Sequence, residues 1–436
     1  MNNDLPTLDL ATLEEAVRGT AAAFRTRTRL EPAGGNGDKI FPPTYLPNDH
    51  DGQRTKYAFE FRRINGEEVP TVLLDSVASQ ANRMEESLRA AWEEGRLKLP
   101  VISVDFGSVD YGDDESLVDL GKITSLDAPH RAADALLRDS LLGDTFFRHS
   151  DVGRAITEAR PDHAAPIYRY CPTALVFGMW DSTGPKGGLG SKYQRALTSE
   201  IVGINARPGA KVGSRIDPAG IEKNAGPLFA KKGSPGEWTV NRDEAEQKKG
   251  KPVPYSRRSD KGTGAPSEAN HGNIPPTLDH EAGGVTIDYA IQTQVLSLPA
   301  LRRLWFRTRP DGSPLEGQER ATGQAAARTA LAALGLAAIA LVRRQGFDLR
   351  SRSQLVATEP LVVELLDNDG GEPRRFRLSP DDALELVDAA ARAAAKAGMP
   401  WQVEELSLTP SPKLVALIQK SRAQVVEGEI DPEEGE

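Results

Sequence analysis

Residues 75–88 read DSVASQANRMEESL, and the spacing within and just beyond this stretch decides how it folds. Val77, Ala81, Met84, Leu88 and Ala91 recur at intervals of three and four, which places them on one apolar face of a helix over 77–92. Ser76 or Asp75 can cap its start. The other face is unusual, because Ser79, Gln80, Asn82 and Arg83 replace the common mixture of Glu and Lys. With the unpaired N–H groups of a helix start, such side chains can donate hydrogen bonds to phosphates or ribose hydroxyls. An ordinary solvated amphipathic helix fits the same residues.

Working outward, 57–63 (YAFEFRR) and 67–74 (EEVPTVLL) flank Asn65-Gly66, a pair that tolerates positive φ and predicts a two-residue hairpin. A buried strand is expected at 99–106 and a second capped helix at 127–142. The run IYRYCPTALVFGMW (167–180) reads as a strand, with Cys171 inside it as a core thiol, followed by the Gly-rich basic turn DSTGPKGGLGSKYQRAL. Over 207–276 periodicity fades and Gly, Pro, Lys and Arg dominate, as in an inserted, partly mobile lobe. Regular structure resumes with a strand at 284–297, a helix at 324–344, a hairpin around 367–371 joining LVVELL to RRFRLS, and helices at 381–397 and 412–425. The tail EGEIDPEEGE reads as disordered. A hairpin, strands and helices in this order predict an α/β or α+β layer.

At 436 residues the chain needs two domains or one core with large insertions. A hydrophobic content of 39%, with 40 Gly and 31 Pro, indicates a loop-rich globule. The single cysteine forms no internal disulfide, which suits a reducing compartment and points to the cytoplasm. No basic start followed by an apolar stretch opens the chain, so its beginning does not read as a signal peptide. The apolar run 329–342 (TALAALGLAAIALV) is shorter than the roughly 20 residues a bilayer span needs, and reads as a core helix. Net charge is −9, which argues against polyanion binding by the surface as a whole. Locally the balance differs: 182–265 carry 16 Lys and Arg against 8 Asp and Glu, whereas 361–436 carry 8 against 16.

Tests for catalytic motifs come out negative. In GPKGGLGSK (184–192) Leu189 stands where a Walker loop needs its second Gly, and Tyr193 occupies the third position of the dinucleotide fingerprint. What remains is a flexible backbone beside Lys186, Lys192 and Arg195, able to approach phosphates or to be an ordinary surface turn. The six histidines form no zincin spacing, so neither a metal site nor any other cofactor is expected. His130, His149 and His163 are close enough in sequence to suggest the acid and base of a metal-independent ribonuclease, or simply surface histidines.

Three segments together resemble one family: VLLDSVASQANRMEESL (72–88), TSLDAPHRAADALLRDS (124–140) and ALVFGMWDSTGPKGGLGSKYQRALTSEIVGINA (174–206). They look like the repeated backbone subunit of type I-G (formerly I-U) CRISPR effector complexes, the Cas-seven branch of the RAMP proteins. Matching is weaker beyond Arg207. The resemblance implies an α+β fold, a modified RRM-like (ferredoxin-type) palm with inserted finger and thumb elements. On that reading 1–206 hold the first part of the palm with a finger hairpin, 207–280 a thumb-like basic insertion, 281–425 the rest of the palm, and 426–436 a disordered acidic tail. It further implies a non-enzymatic subunit that binds guide RNA, stacks with copies of itself in a helical filament, and joins the large, cap and RNA-processing subunits. Target DNA would be met through the guide, since base pairing reads sequence while protein reads backbone; no membrane is involved. Carried over by position, Ser79, Gln80, Asn82 and Arg83 would line the palm, with His130 and Arg131 beside them. Lys186, Lys192, Tyr193 and Arg195 would form the following loop, and Arg207, Lys211 and Arg215 the start of the thumb. Related RAMP subunits in RNA-targeting systems cut target RNA with a loop aspartate, for which Asp181 or Asp127 would be the counterpart. Type I complexes leave cutting to a separate helicase-nuclease, so neither is expected to be catalytic; an alternative endoribonuclease reading would use His130 or His149.

Overall fold

The structure, a computed structural model, describes residues 5–50, 52–107, 109, 115–184, 190–234, 236–256 and 262–426. Along the chain come helix α1 (Leu10–Arg18), strands β1 (Ala23–Pro32), β2 (Phe59–Ile64) and β3 (Glu67–Asp75), and helix α2 (Val77–Glu93). Then follow β4 (Leu197–Ile204), β5 (Tyr289–Ser297), helix α3 (Gly317–Gln345), β6 (Phe347–Asp348), β7 (Gln354–Ala357), β8 (Val362–Leu366), β9 (Arg374–Arg377) and helix α4 (Pro380–Lys396). The nine strands form one sheet in the order β6-β7-β1-β5-β4-β3-β2, with β8 also against β1 and β9 against β8. All of its pairings are antiparallel. The fold is therefore mixed α+β.

Alternation along the strands gives the sheet two different faces. Phe24, Thr26, Thr28 and Leu30 of β1, and Ala290, Gln292, Gln294 and Leu296 of β5, are buried. Helix α2 packs on β4 and α3, and α3 packs against α1, α2 and α4. The opposite face carries Arg25, Arg27 and Arg29 alternating with those inward residues, and stays open. Helix α3 is long and apolar enough to cross a membrane, but every residue of it from Thr329 to Val342 is buried, which makes it the core helix its Ala-rich sequence predicts. Small side chains let its neighbours come close: Gly335 lies where a Cβ would stand 3.0 Å from Leu296.

Both predicted hairpins form. Asn65 and Gly66 take φ of 53° and 89° and join β2 to β3, as the primed turn of a two-residue hairpin requires. β8 and β9 pair across the turn at Gly370 and Gly371. Beside the main sheet lies a five-stranded one in which Ile102–Asp105, within the predicted 99–106, runs parallel to Leu406–Pro410.

Two expectations are corrected. Residues 167–180 are not a strand but two short helices, Ala165–Tyr170 and Thr173–Phe177, followed by Met179–Trp180 paired with Lys192–Tyr193. Pro172, with φ −60° and ψ −24°, opens the second helix, and a short apolar run carries no periodicity that separates a buried helix from a strand. Cys171 is a buried free thiol between the two helices. The helix expected at 127–142 breaks into a 3-10 turn at Arg131–Ala133, one helical turn at Ala135–Arg138 and a strand at Ser140–Leu142. Arg131 takes a left-handed φ of 51°, which no continuous helix accommodates, and Asp134 caps the turn that follows.

The chain divides into two units, Met1–Pro208 with Gly284–Ser411, and Gly209–Gly283 with Pro412–Glu436. The second holds short paired strands where sequence periodicity fades, the longest being Lys211–Arg215 against Ile274–Asp279. Val212, Ile216 and Leu278 stand exposed on it. Asp217 organises its loops, accepting hydrogen bonds from the backbone N–H of Gly272 and Ala219 at 2.8 and 2.9 Å. Those bonds hold its carboxyl below the usual carboxylate range. The predicted acidic tail lies outside the described residues from 427 onward.

Candidate nucleic-acid interface

Helix α2 starts at Ser76, whose hydroxyl accepts from the Ser79 N–H at 3.2 Å. Its polar face then splits. Asn82 is exposed and lines a groove of about 440 Å³. Gln80, two residues earlier, is 1% exposed and turns inward. Its amide donates to Asp75 at 2.6 Å and accepts from Ser199 at 2.7 Å and Gln292 at 2.8 Å. Arg83 is tied back as well, donating to Asp75 at 2.9 Å and to the backbone carbonyl of Leu349 at 2.5 Å. The expected four-residue gripping face is thus reduced to Asn82 and the half-buried Ser79; Gln80 and Arg83 hold α2 to β3, β4, β5 and the turn after β6.

The far wall of the groove comes from the segment after Phe177. Gly178 has φ 87°, and an added Cβ there would stand 2.9 Å from Arg195 Cγ, so the close approach of Gly178 to the Tyr193–Arg195 stretch within this wall needs glycine. The Gly178 carbonyl accepts from Arg131 at 2.9 Å, and Arg131 makes two 2.6 Å bonds to Glu85. This pair is buried: 6% of the Arg131 side chain and 2% of Glu85 are exposed. Burial pushes the Glu85 carboxyl up to about 7 even with the guanidinium beside it. Arg131 is therefore a brace joining α2 to the Gly178 turn, where the sequence expectation made it a ligand contact.

Lys192 and Arg195 line the groove and are exposed, and neither forms an ion pair among the described residues. The Lys192 ammonium lies 5.3 Å from the Trp180 ring centroid, and Trp180 is 49% exposed. His130 is exposed at the same groove. Among the described residues no Asp or Glu lines it. Tyr193, placed by the sequence in the contact loop, is 4% exposed, its hydroxyl has no hydrogen-bond partner among the described residues, and burial pushes its phenol far above the ordinary range. The exposed aromatic is Trp180, thirteen residues earlier in sequence and paired with Lys192 across the two-stranded ladder. Lys186 lies outside the described residues.

The remaining expected residues do not join this groove. Arg207 is exposed and pairs with Thr286 through the backbone. In the second unit Lys211 bridges Asp279 at 3.3 Å, and Arg215 donates to the Gly272 carbonyl at 3.0 Å. Among the described residues no hydrogen bond or ring contact joins any two of His130, His149 and His163. Asp181 is buried and accepts from Arg148 at 3.0 and 3.1 Å, while Asp127 accepts from Thr124 at 2.8 and 2.7 Å and from Arg89.

Sequence reasoning also missed the open sheet face, where Arg25, Arg27, Arg29 and Arg375 surround a concavity of about 720 Å³. Arg25 and Arg375 pair with Glu364 at 2.7 and 3.3 Å, and the Arg29 guanidinium lies 3.7 Å from the Tyr289 ring centroid. The period-two string RTRTR at 25–29 was the available signal.

No curated protein matches the chain. Residues 24–208 match the family model described as CRISPR-associated protein GSU0053. That stretch runs from β1 to the end of the first segment of the larger unit and contains every residue lining the groove. The match supports a CRISPR-associated protein with a role in a CRISPR system.

Proposed function

We propose that this chain is a guide-RNA-binding backbone subunit of a type I-G CRISPR effector complex, of the Cas-seven branch of the RAMP proteins, and that it binds RNA without cutting it. The observation that carries the reading is the groove: among the described residues Lys192 and Arg195 form no ion pair, an exposed indole lies beside them, and no carboxylate lines it. Cations that track a backbone together with an aromatic face are what single-stranded nucleic acid requires. Further support comes from the sheet. Taken in chain order, β1, β4, β5 and then β7 with β8 stand side by side as 4-1-3-2, with α2 after the first of them and α3 after the third. That is the order of a ferredoxin-type plait, in keeping with an RRM-like palm. The β2–β3 hairpin extends its edge as a finger would, and Gly209–Gly283 falls between β4 and β5 as a thumb-like insertion. Asp181 and Asp127, the counterparts of a loop aspartate that cuts RNA in related subunits, are bound up in structural hydrogen bonds. In this reading copies stack along one guide in the cytoplasm, joined by the other effector subunits, and target DNA pairs with the guide.

The test is a titration of the full chain with single-stranded RNA across a range of salt concentrations. Changing Lys192→Ala together with Arg195→Ala should weaken binding and lower the salt slope by about 0.7 per lost phosphate contact. Wild-type protein that binds no RNA, or a double variant that binds as tightly, overturns the reading. RNA cleavage that disappears on changing His130 or His149 assigns the endoribonuclease alternative instead.

A further inference from the structure

Beyond the groove, Arg303, Trp305 and Arg307 are exposed while Leu304 and Phe306 between them are buried. Arg303 closes the short helix Leu298–Arg302 with helical dihedrals (φ −73°, ψ −13°), and Trp305 and Arg307 follow it on a short strap, so two guanidiniums flank one indole in sequence and all three are exposed. Trp305 is 48% exposed. The strap is held from below along its length. Arg328 donates to the Leu304 carbonyl at 2.7 Å, and the Trp305 N–H and carbonyl bond to Pro161 and Ala164 at 2.7 and 2.9 Å. The Phe306 ring packs edge-on against Tyr168 with centroids 5.5 Å apart. An exposed Trp on so fixed a backbone loses little freedom when something stacks on it.

The strap is also continuous with the groove. Arg303 donates to the Gln194 side chain at 2.8 Å, and Gln194 lies between Lys192 and Arg195 on the groove wall. At the other end Arg307 stands 3.7 Å from Asp162, which Arg160 also bridges at 3.3 Å, so this corner keeps an excess of one positive charge. A run of cations therefore leaves the groove and passes an exposed aromatic.

We infer that Arg303, Trp305 and Arg307 form a second contact for the strand held in the groove, in which an unpaired base stacks on the Trp305 indole and its flanking phosphates meet the two guanidiniums. The inference rests on the groove reading, since it extends the same strand. Base–aromatic stacking has a size that decides the test: replacing the aromatic costs about 5- to 150-fold in affinity per base.

The experiment measures the affinity of the full chain for single-stranded RNAs of about 4 to 16 nucleotides, the span over which single-strand sites of this size fill. Wild-type affinity is expected to step up at the length that reaches the strap. Trp305→Ala should abolish the step and leave short-RNA affinity unchanged, Trp305→Phe should retain part of it, and ultraviolet crosslinks to long RNA should map to Trp305. If Trp305→Ala matches wild type at every length while the Lys192→Ala, Arg195→Ala variant loses binding, the strap inference is wrong and the groove reading stands. If wild type binds no RNA at any length, both fall. A Trp305→Ala variant that binds RNA normally but self-associates less assigns the strap to protein contact, and also overturns the inference.

Discussion

Gln80 and Asn82 stand two positions apart on one helix and end in different environments, one locked among Asp75, Ser199 and Gln292 and the other open to the groove. Helical spacing already sets them roughly 200° apart, with Gln80 beside the apolar stripe, and the partners brought by β3, β4 and β5 then lock Gln80 in place. Arg131 makes the same point with more energy at stake. Its removal leaves Glu85 buried without a counter-charge, so Arg131→Ala should cost about 3–5 kcal/mol in urea unfolding, and pairing Arg131→Met with Glu85→Leu should recover much of that. A loss below about 1 kcal/mol would contradict the brace. By contrast Lys192 and Arg195, exposed and without an ion pair among the described residues, should lose RNA affinity on substitution with little change in stability. Which cations are available and which are structural was therefore not legible in the sequence. Lys192 and Arg195 were identified from their place in a basic turn, but nothing local distinguished them from Arg83 or Arg131, whose partners lie far along the chain.

Elements were legible where a local rule fixed them. Asn65-Gly66 specified its hairpin through positive φ, and the Ala-rich run at 329–342 specified a helix buried all round. The 167–180 segment was not legible, because a short, mostly buried apolar run suits a strand or a helix equally until Pro172 and Gly178 are seen as a helix start and a left-handed turn. The second unit was legible only as a loss of periodicity. Its order depends on Asp217, whose role comes from backbone N–H groups supplied by Ala219 and by the distant Gly272. Because those bonds lower the Asp217 carboxyl from its ordinary 3.8, its contribution to stability is present above pH 3.8 and is lost as pH falls through the lower folded value. Hydrogen exchange over residues 209–283 should then show protection falling below pH about 3.8, with Asp217→Asn lower at neutral pH and lacking that step. Identical profiles in the two proteins would contradict it.

At the scale of the molecule, the sheet's two faces set the division of labour. One is sealed by α2, α3 and their neighbours, and α2 with the segment after Phe177 lines the groove. The uneven charge along the chain, hidden in a net −9, leaves 182–265 with 16 Lys and Arg against 8 Asp and Glu, a local excess that the proposed RNA-binding role would use. The most direct measurement of that claim is the nucleic-acid content of the chain purified after co-expression with a CRISPR array and its partner subunits. The account predicts a large assembly with absorbance at 260 nm above that at 280 nm and extracted RNA of one defined length, lost when Lys192 and Arg195 are both changed to Ala. A clean monomer free of RNA from the same co-expression would contradict it.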